Sequence, residues 1–252
     1  MPGPPKGENA LNKNIRSFIK PGIVHFMAYP ETQNGTGPVA DQVLKLAEDD
    51  FFDVIEVARI NDREERRKVR DVISTADLEL CYAAMPTQKI TGFDINDLDE
   101  GSRKKAVSVI CEEVDYAMEM GAVKFAFKSG AYRSDSVEES LDALIRSTRE
   151  ICDYVVRNSD MLVTIEVFDY DVDTRSLIGP VELAKRYSDI ICSEYSRFGL
   201  MVDLSHLPQL RETPAQSLLP VKNNINHAHF GNCFLKDKQS PVYGDKHRLS
   251  RE

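Results

Sequence analysis

Leu200-Met-Val-Asp203-Leu-Ser-His206 is an apolar stretch that ends in two ionisable residues. Two other stretches share the design. Leu162-Val-Thr-Ile-Glu166-Val-Phe lies upstream, and Ile225-Asn-His227-Ala-His229-Phe lies downstream. Each reads as a buried strand with a carboxylate or an imidazole in its C-terminal half. A charge in an apolar strand is costly unless a partner or a metal ion offsets it. Three successive strands built this way predict one shared polar site.

Working outward, apolar stretches alternate with helix-patterned ones. Strands are predicted over 23–28, 53–60, 78–85, 123–127, 161–168, 199–204 and 224–230. Pro38 suits the first turn of a helix reaching about Asp49, and Asn61 or Asp62 can cap the next. A third helix runs from Ser102 to a left-handed stop at Gly121, and a Ser136/Glu139 capping box opens a fourth. Gly179-Pro180 and Thr213-Pro214 begin two more, and 87–100 reads as a loop. Strands separated by helices make βαβ units and pair in parallel. Seven units are many for one open sheet. The loop after the first strand, Pro30-Glu-Thr-Gln-Asn-Gly-Thr-Gly37, is not a GxGxxG phosphate turn. The polar residues also sit at strand C-terminal ends, where barrel enzymes keep their active sites. The expected fold is α/β, a (β/α) TIM-type barrel lacking the eighth strand and last helices. Residues 1–19 are expected to form a flexible N-terminal arm, 20–235 the barrel domain, and 236–252 an irregular, basic C-terminal tail. A gap should separate the first strand from the seventh, whose unpaired edges invite association. A homo-oligomer is one outcome.

The bulk composition narrows the function. A formal charge of −9 disfavours loose binding to nucleic acid or anionic lipid. No apolar run approaches a membrane span, and Met1-Pro-Gly-Pro-Pro-Lys6 lacks the apolar core of a signal peptide. Five widely spaced cysteines with no CxxC pair fit a reducing cytoplasm.

Glu166, Asp203 and His229 form an oxygen, oxygen, nitrogen donor set that suits Mn²⁺, Mg²⁺, Co²⁺ or Zn²⁺. They are expected to converge on one divalent ion. His206 would face the ligand or a second metal, and His227 shares the strand face of His229. Glu56 either reaches the barrel mouth or pairs with Arg59 or Lys124. Lys128-Ser-Gly130 reads as a plain turn before an anchor for a phosphate or carboxylate. His25 reads as a core residue. Asp169, Asp171 and Asp173 read as solvated, with Asp169 alone a candidate to stand behind a ligand. Nothing marks Cys233 as a nucleophile.

Glu166, Asp203-x-x-His206 and His227-x-His229 together resemble the xylose isomerase-like TIM-barrel superfamily, over about 23–247. That superfamily includes sugar and sugar-phosphate isomerases and epimerases, with endonuclease IV-type enzymes as relatives. The resemblance implies a divalent-metal-dependent isomerase or epimerase of a small sugar, sugar phosphate or related polyhydroxy carbonyl compound. In its ketose 3-epimerase branch the ligands are Glu, Asp, His and Glu on strands five to eight. Carried over, three are Glu166, Asp203 and His229, and His206 matches the substrate-binding histidine. Proton abstraction beside a carbonyl gives an enediolate, which a divalent ion stabilises and a carboxylate serves as base.

The eighth-strand Glu has no counterpart here, so one ligand and one of two acid/base groups are missing. Asp245-Lys-His247 is the candidate replacement. Weak turnover is expected without it, and a catalytically impaired metal- or ligand-binding barrel is the alternative. A similar Asp-x-His binds a further metal in the endonuclease branch. That branch also uses histidines on strands two and three, and 53–60 and 78–85 contain none.

Overall fold

The computed structural model describes residues 15–245. Its seven strands are β1 (Gly22–Val24), β2 (Val54–Val57), β3 (Glu79–Ala83), β4 (Lys124–Lys128), β5 (Leu162–Val167), β6 (Phe198–Asp203) and β7 (Ile225–His229). They pair in parallel and in chain order, β1 to β7, as one sheet. No bridge joins β7 to β1 among the described residues, so these strands are the edges of an unclosed barrel. The sheet nevertheless curls far round. Lys124 on β4 donates across the interior to the Asn226 carbonyl on β7 at 2.7 Å. Glu56 on β2 lies 3.4 Å from His229 on β7.

Two apolar cores result. The larger one lies between the sheet and the helices and includes Ile55, Leu80, Phe125, Ile165 and Leu200 with Val69, Ile110, Leu144 and Tyr187. The smaller one fills the barrel and consists of Phe26, Ala58, Ala83, Met85, Ala126, Phe168 and Met201. Alternation explains the division, because successive strand side chains point to opposite faces. Small alanines inside leave room for the ionisable groups that the same face carries.

The covering helices are α1 (His25–Ala28), α2 (Val39–Ala47), α3 (Arg63–Thr75), α4 (Met85–Thr91), α5 (Glu100–Glu119), α6 (Val137–Asn158), α7 (Val181–Glu194), α8 (His206–Leu210) and α9 (Pro214–Leu218). Asp62 caps α3 by accepting the Glu65 N–H at 2.9 Å, and Gly121 takes a left-handed φ of 76°. Other local expectations are corrected. The first strand stops at Val24, and 25–28 turn into α1, because a short apolar run does not separate strand from helix. His25 is buried there, with Nε2 2.9 Å from Gln42 Oε1. The expected loop over 87–100 contains α4. Pro86 opens that helix instead of merely ending a strand, and Gly92 stops it at φ 67°. Helix α5 starts at Glu100, because Asp99 rather than Ser102 is its cap. Ser136 makes no capping bond and turns to Asp135; the capping box is at Thr213 and Gln216.

Gln88 on α4 holds both backbone groups of Lys128, accepting from its N–H and donating to its carbonyl, each at 2.8 Å. At the N-terminal side, Arg16 donates to Asp53 and to the Asp50 and Phe51 carbonyls, which docks 16–19 on the barrel. At the other end, 230–245 run as turns, with an isolated bridge between Phe234 and Gly244. That path brings Asp245 back over the barrel mouth, where its N–H donates to Asp173 at 3.0 Å.

Glu113 on α5 ties three elements together in the larger core. Its carboxylate is fully buried and accepts from Arg59, Tyr82 and Thr87 at 2.7–2.9 Å. Removing it leaves a guanidinium and two hydroxyls without their acceptor, and unpartnered buried donors are costly. Glu113→Ala should lower the unfolding free energy by about 2–4 kcal/mol, read from urea denaturation midpoints. An unchanged midpoint would show that solvent satisfies these donors.

Candidate active site at the barrel mouth

Register places the site. Lys128, Glu166 and Met201 are successive neighbours across β4, β5 and β6; Met201 pairs with His227, and Asp203 with His229. Paired residues share a face, so Glu166, Asp203, His227 and His229 all point into the barrel. Glu166 and Asp203 are 4% and 3% exposed.

Glu166 lies between two imidazoles. Its Oε1 is 3.4 Å from His206 Nε2 and 3.9 Å from His229 Nδ1. Burial pushes the Glu166 carboxyl above its ordinary range, and the two imidazoles only partly offset this. Asp203 accepts the backbone N–H groups of Ser205 at 2.7 Å and Gly231 at 3.1 Å, which fixes its carboxylate at the start of α8. His206, the first residue of α8, packs against Phe168 with ring centroids 4.5 Å apart and the rings tilted by 46°. Its Nδ1 lies 3.2 Å from the Gln209 amide nitrogen. An amide N–H gives a hydrogen, so Nδ1 accepts and Nε2 carries the proton that faces Glu166. Burial pulls His206 down, but Glu166, Asp245 and Asp203 outweigh it and leave it raised.

The donor atoms of Glu166, Asp203 and His206 lie within 4.8 Å of one another. Those of Glu56, His227 and His229 make a second such group. His229 joins the two, with Nδ1 toward Glu166 and Nε2 3.4 Å from Glu56 Oε2. Of the sequence set, Glu166 and Asp203 fall in one group with His206, whereas His229 falls in the other and approaches the first through Nδ1, 3.9 Å from Glu166. Two buried carboxylates with flanking imidazoles fit a divalent cation. Asp245 Oδ2, 3.8 Å from His206 Nε2 at the same mouth, adds an oxygen donor.

The remaining predicted residues fall as follows. Glu56 pairs with neither Arg59, which binds Glu113, nor directly with Lys124; its neighbours are His227 and His229. Lys128 lies beside Glu166 with its ammonium on the Ser129 carbonyl at 3.2 Å, and burial lowers its pKa. Asp245 Oδ2 reaches 3.8 Å from His206 Nε2. His247 lies outside the described residues. Asp169 is not solvated: it is fully buried and accepts four backbone N–H groups, from Val172 to Arg175. Sequence reasoning missed Gln209, whose place three residues after His206 puts it on the same helical face, and Asp173, the dock for the tail.

The sequence profile of the Xylose isomerase-like TIM barrel family matches residues 44–248, and the chain belongs to that family. No curated protein matches the sequence. Among solved structures, D-psicose 3-epimerase with D-tagatose from Clostridium cellulolyticum H10 has a similar fold, with a TM-score of 0.68. It covers 84% of this chain and 73% of its own, at 13% identity. A D-tagatose 3-epimerase-like protein gives 0.66 over 88% and 79%, at 16% identity. An L-ribulose 3-epimerase gives 0.63 over 86% and 72%, also at 16%. The likeness at these identities is one of fold.

Binding of a cation between Glu166 and Asp203 would stabilise the folded chain by mass action. Saturating Mn²⁺ or Co²⁺ should raise the melting temperature by several degrees, roughly the effect of 2–3 kcal/mol at this chain length. Asp203→Asn should remove most of that rise. A mutant that responds as the parent does would show that Asp203 is not a ligand.

Proposed function

We propose that the chain is a divalent-metal-dependent isomerase or epimerase of a small sugar, a sugar phosphate or a related polyhydroxy carbonyl compound. The observation that carries this reading is the buried Glu166 carboxyl, raised by desolvation and set beside Asp203 and two imidazoles at strand C-terminal ends. The solved likenesses named as ketose 3-epimerases support it by fold.

Glu166, Asp203 and His229 would hold the ion, which when bound supplies an electrophile for the charge that develops on substrate oxygens. The protein's own groups do the rest. Glu166, made more basic by burial, takes the proton from the carbon next to the carbonyl as a carboxylate and returns it. His206 presents its Nε2–H to the same space and steadies a substrate oxygen. Gln209 keeps that proton on Nε2. Lys128 offers a positive group at the rim, suited to a phosphate or a hydroxyl. Phe168 and Met201 line the floor and keep water from the reacting carbon.

Epimerisation needs a second acid/base group on the opposite face of that carbon. Asp245, 3.8 Å from His206, is the described residue that approaches from the tail side. A single base can exchange a substrate hydrogen with solvent without inverting the centre. Incubation of ketoses and ketose phosphates with Mn²⁺, Co²⁺ or Mg²⁺ in D₂O should therefore put deuterium beside the carbonyl faster than product forms. Glu166→Gln should slow that exchange by about 10²–10⁴-fold. Metal binding with no exchange from any sugar would favour a ligand-binding barrel over an enzyme. Nicking of abasic DNA would instead favour the endonuclease branch.

A further inference from the structure

Behind His229 lies a group of buried and half-buried side chains with no part in this proton transfer. Glu56 is 3% exposed, and neither of its oxygens makes an aligned hydrogen bond. Its Oε2 lies 3.4 Å from His229 Nε2 and 3.6 Å from His227 Nε2. A carboxylate and two imidazoles at such spacing are the donor set of a tetrahedral cation. The far side of His227 argues against that use. Its Nδ1 lies 3.1 Å from Lys124 Nζ, which also donates to the Asn226 carbonyl at 2.7 Å. An ammonium has only hydrogens to give. Nδ1 must therefore accept, and the proton of a neutral His227 sits on Nε2, facing Glu56. A protonated nitrogen has no lone pair for a metal.

Glu56 is then an acceptor with two imidazole N–H groups turned toward it. With the Nε2 proton facing Glu56, Nδ1, 3.9 Å from Glu166, is the nitrogen that His229 can offer to a cation. We infer that Lys124, His227 and the buried Glu56 form a relay that holds the proton of His229 on Nε2 and so turns Nδ1 toward the cation pocket of Glu166 and Asp203. Only the cation in that statement rests on the proposed function; the proton positions stand on their own. Glu56 is a positioning residue, since it acts on the cation through His229. The two histidines are perpendicular, at 85° with centroids 5.0 Å apart, so each ring can aim one nitrogen at the same carboxylate oxygen.

Nitrogen-15 NMR of the five imidazoles, with and without Zn²⁺, tests the relay on the full chain. Without metal at neutral pH, His227 should be protonated on Nε2 and bare on Nδ1, and His229 should carry a proton on Nε2. With zinc, His229 should bind through Nδ1, keep its Nε2 proton and take one ion per chain. Glu56→Gln, close in shape, should weaken zinc binding roughly 10–100-fold. Lys124→Met, a second and separate perturbation, should abolish the tautomer preference of His227. A bare His229 Nε2 in the wild type, or a second zinc lost on Glu56→Gln, would overturn the relay and make Glu56 a ligand. Failure of the wild type to bind zinc would refute the metal reading of the site, while the proton positions on His227 and His229 would still decide the relay.

Discussion

The structure turns on one electrostatic problem, the carboxylate of Glu166 inside a barrel whose apolar lining is alanine, methionine and phenylalanine. A buried charge of this kind must be matched locally. The chain meets it with imidazoles on two sides, His206 from the start of α8 and His229 from β7. Each ring is backed by a partner on its other nitrogen. Gln209 stands behind His206, and Glu56 stands behind His229. The result is a layered set of polar groups in which the outer partners orient the inner ones. Such backing fixes ring direction and proton position, the properties that a metal ligand or a proton donor needs.

The open edge of the barrel gives the tail its importance. Where a closed barrel would place another strand, 230–245 cross the mouth as turns and dock on the loop after β5. That loop is itself rigid, because Asp169 gathers four backbone N–H groups into one carboxylate. Asp173 on the loop then receives the Asp245 N–H, and Asp245 reaches His206. Local order in the turn over 169–175 is thereby passed to an acid at the barrel mouth.

Much of the barrel was legible because its strands are apolar, evenly spaced and separated by helices. The ionisable residues of β5, β6 and β7 stood out for the same reason, since apolar surroundings make a Glu or a His conspicuous. What escaped depends on contacts between distant residues. His25 and Phe26 look like strand residues, and the packing of His25 on Gln42 of α2 decides that they form a helical turn. Pro86 is equally at home ending a strand or opening a helix. Glu56 could be assigned to Arg59 or Lys124 from sequence, yet barrel curvature brings β7 nearer to it than either. Asp169 looked solvated because its partners are backbone amides, which leave no mark in a sequence.

The central claim is that Glu166, Asp203 and His229 hold one divalent ion at the barrel mouth. The most direct test is anomalous diffraction from crystals soaked in Mn²⁺. One strong anomalous peak is expected within about 2.0–2.4 Å of a Glu166 oxygen, an Asp203 oxygen and His229 Nδ1. An ordered site in which these three side chains surround no peak, or a peak held by Glu56 and His227 instead, would contradict it.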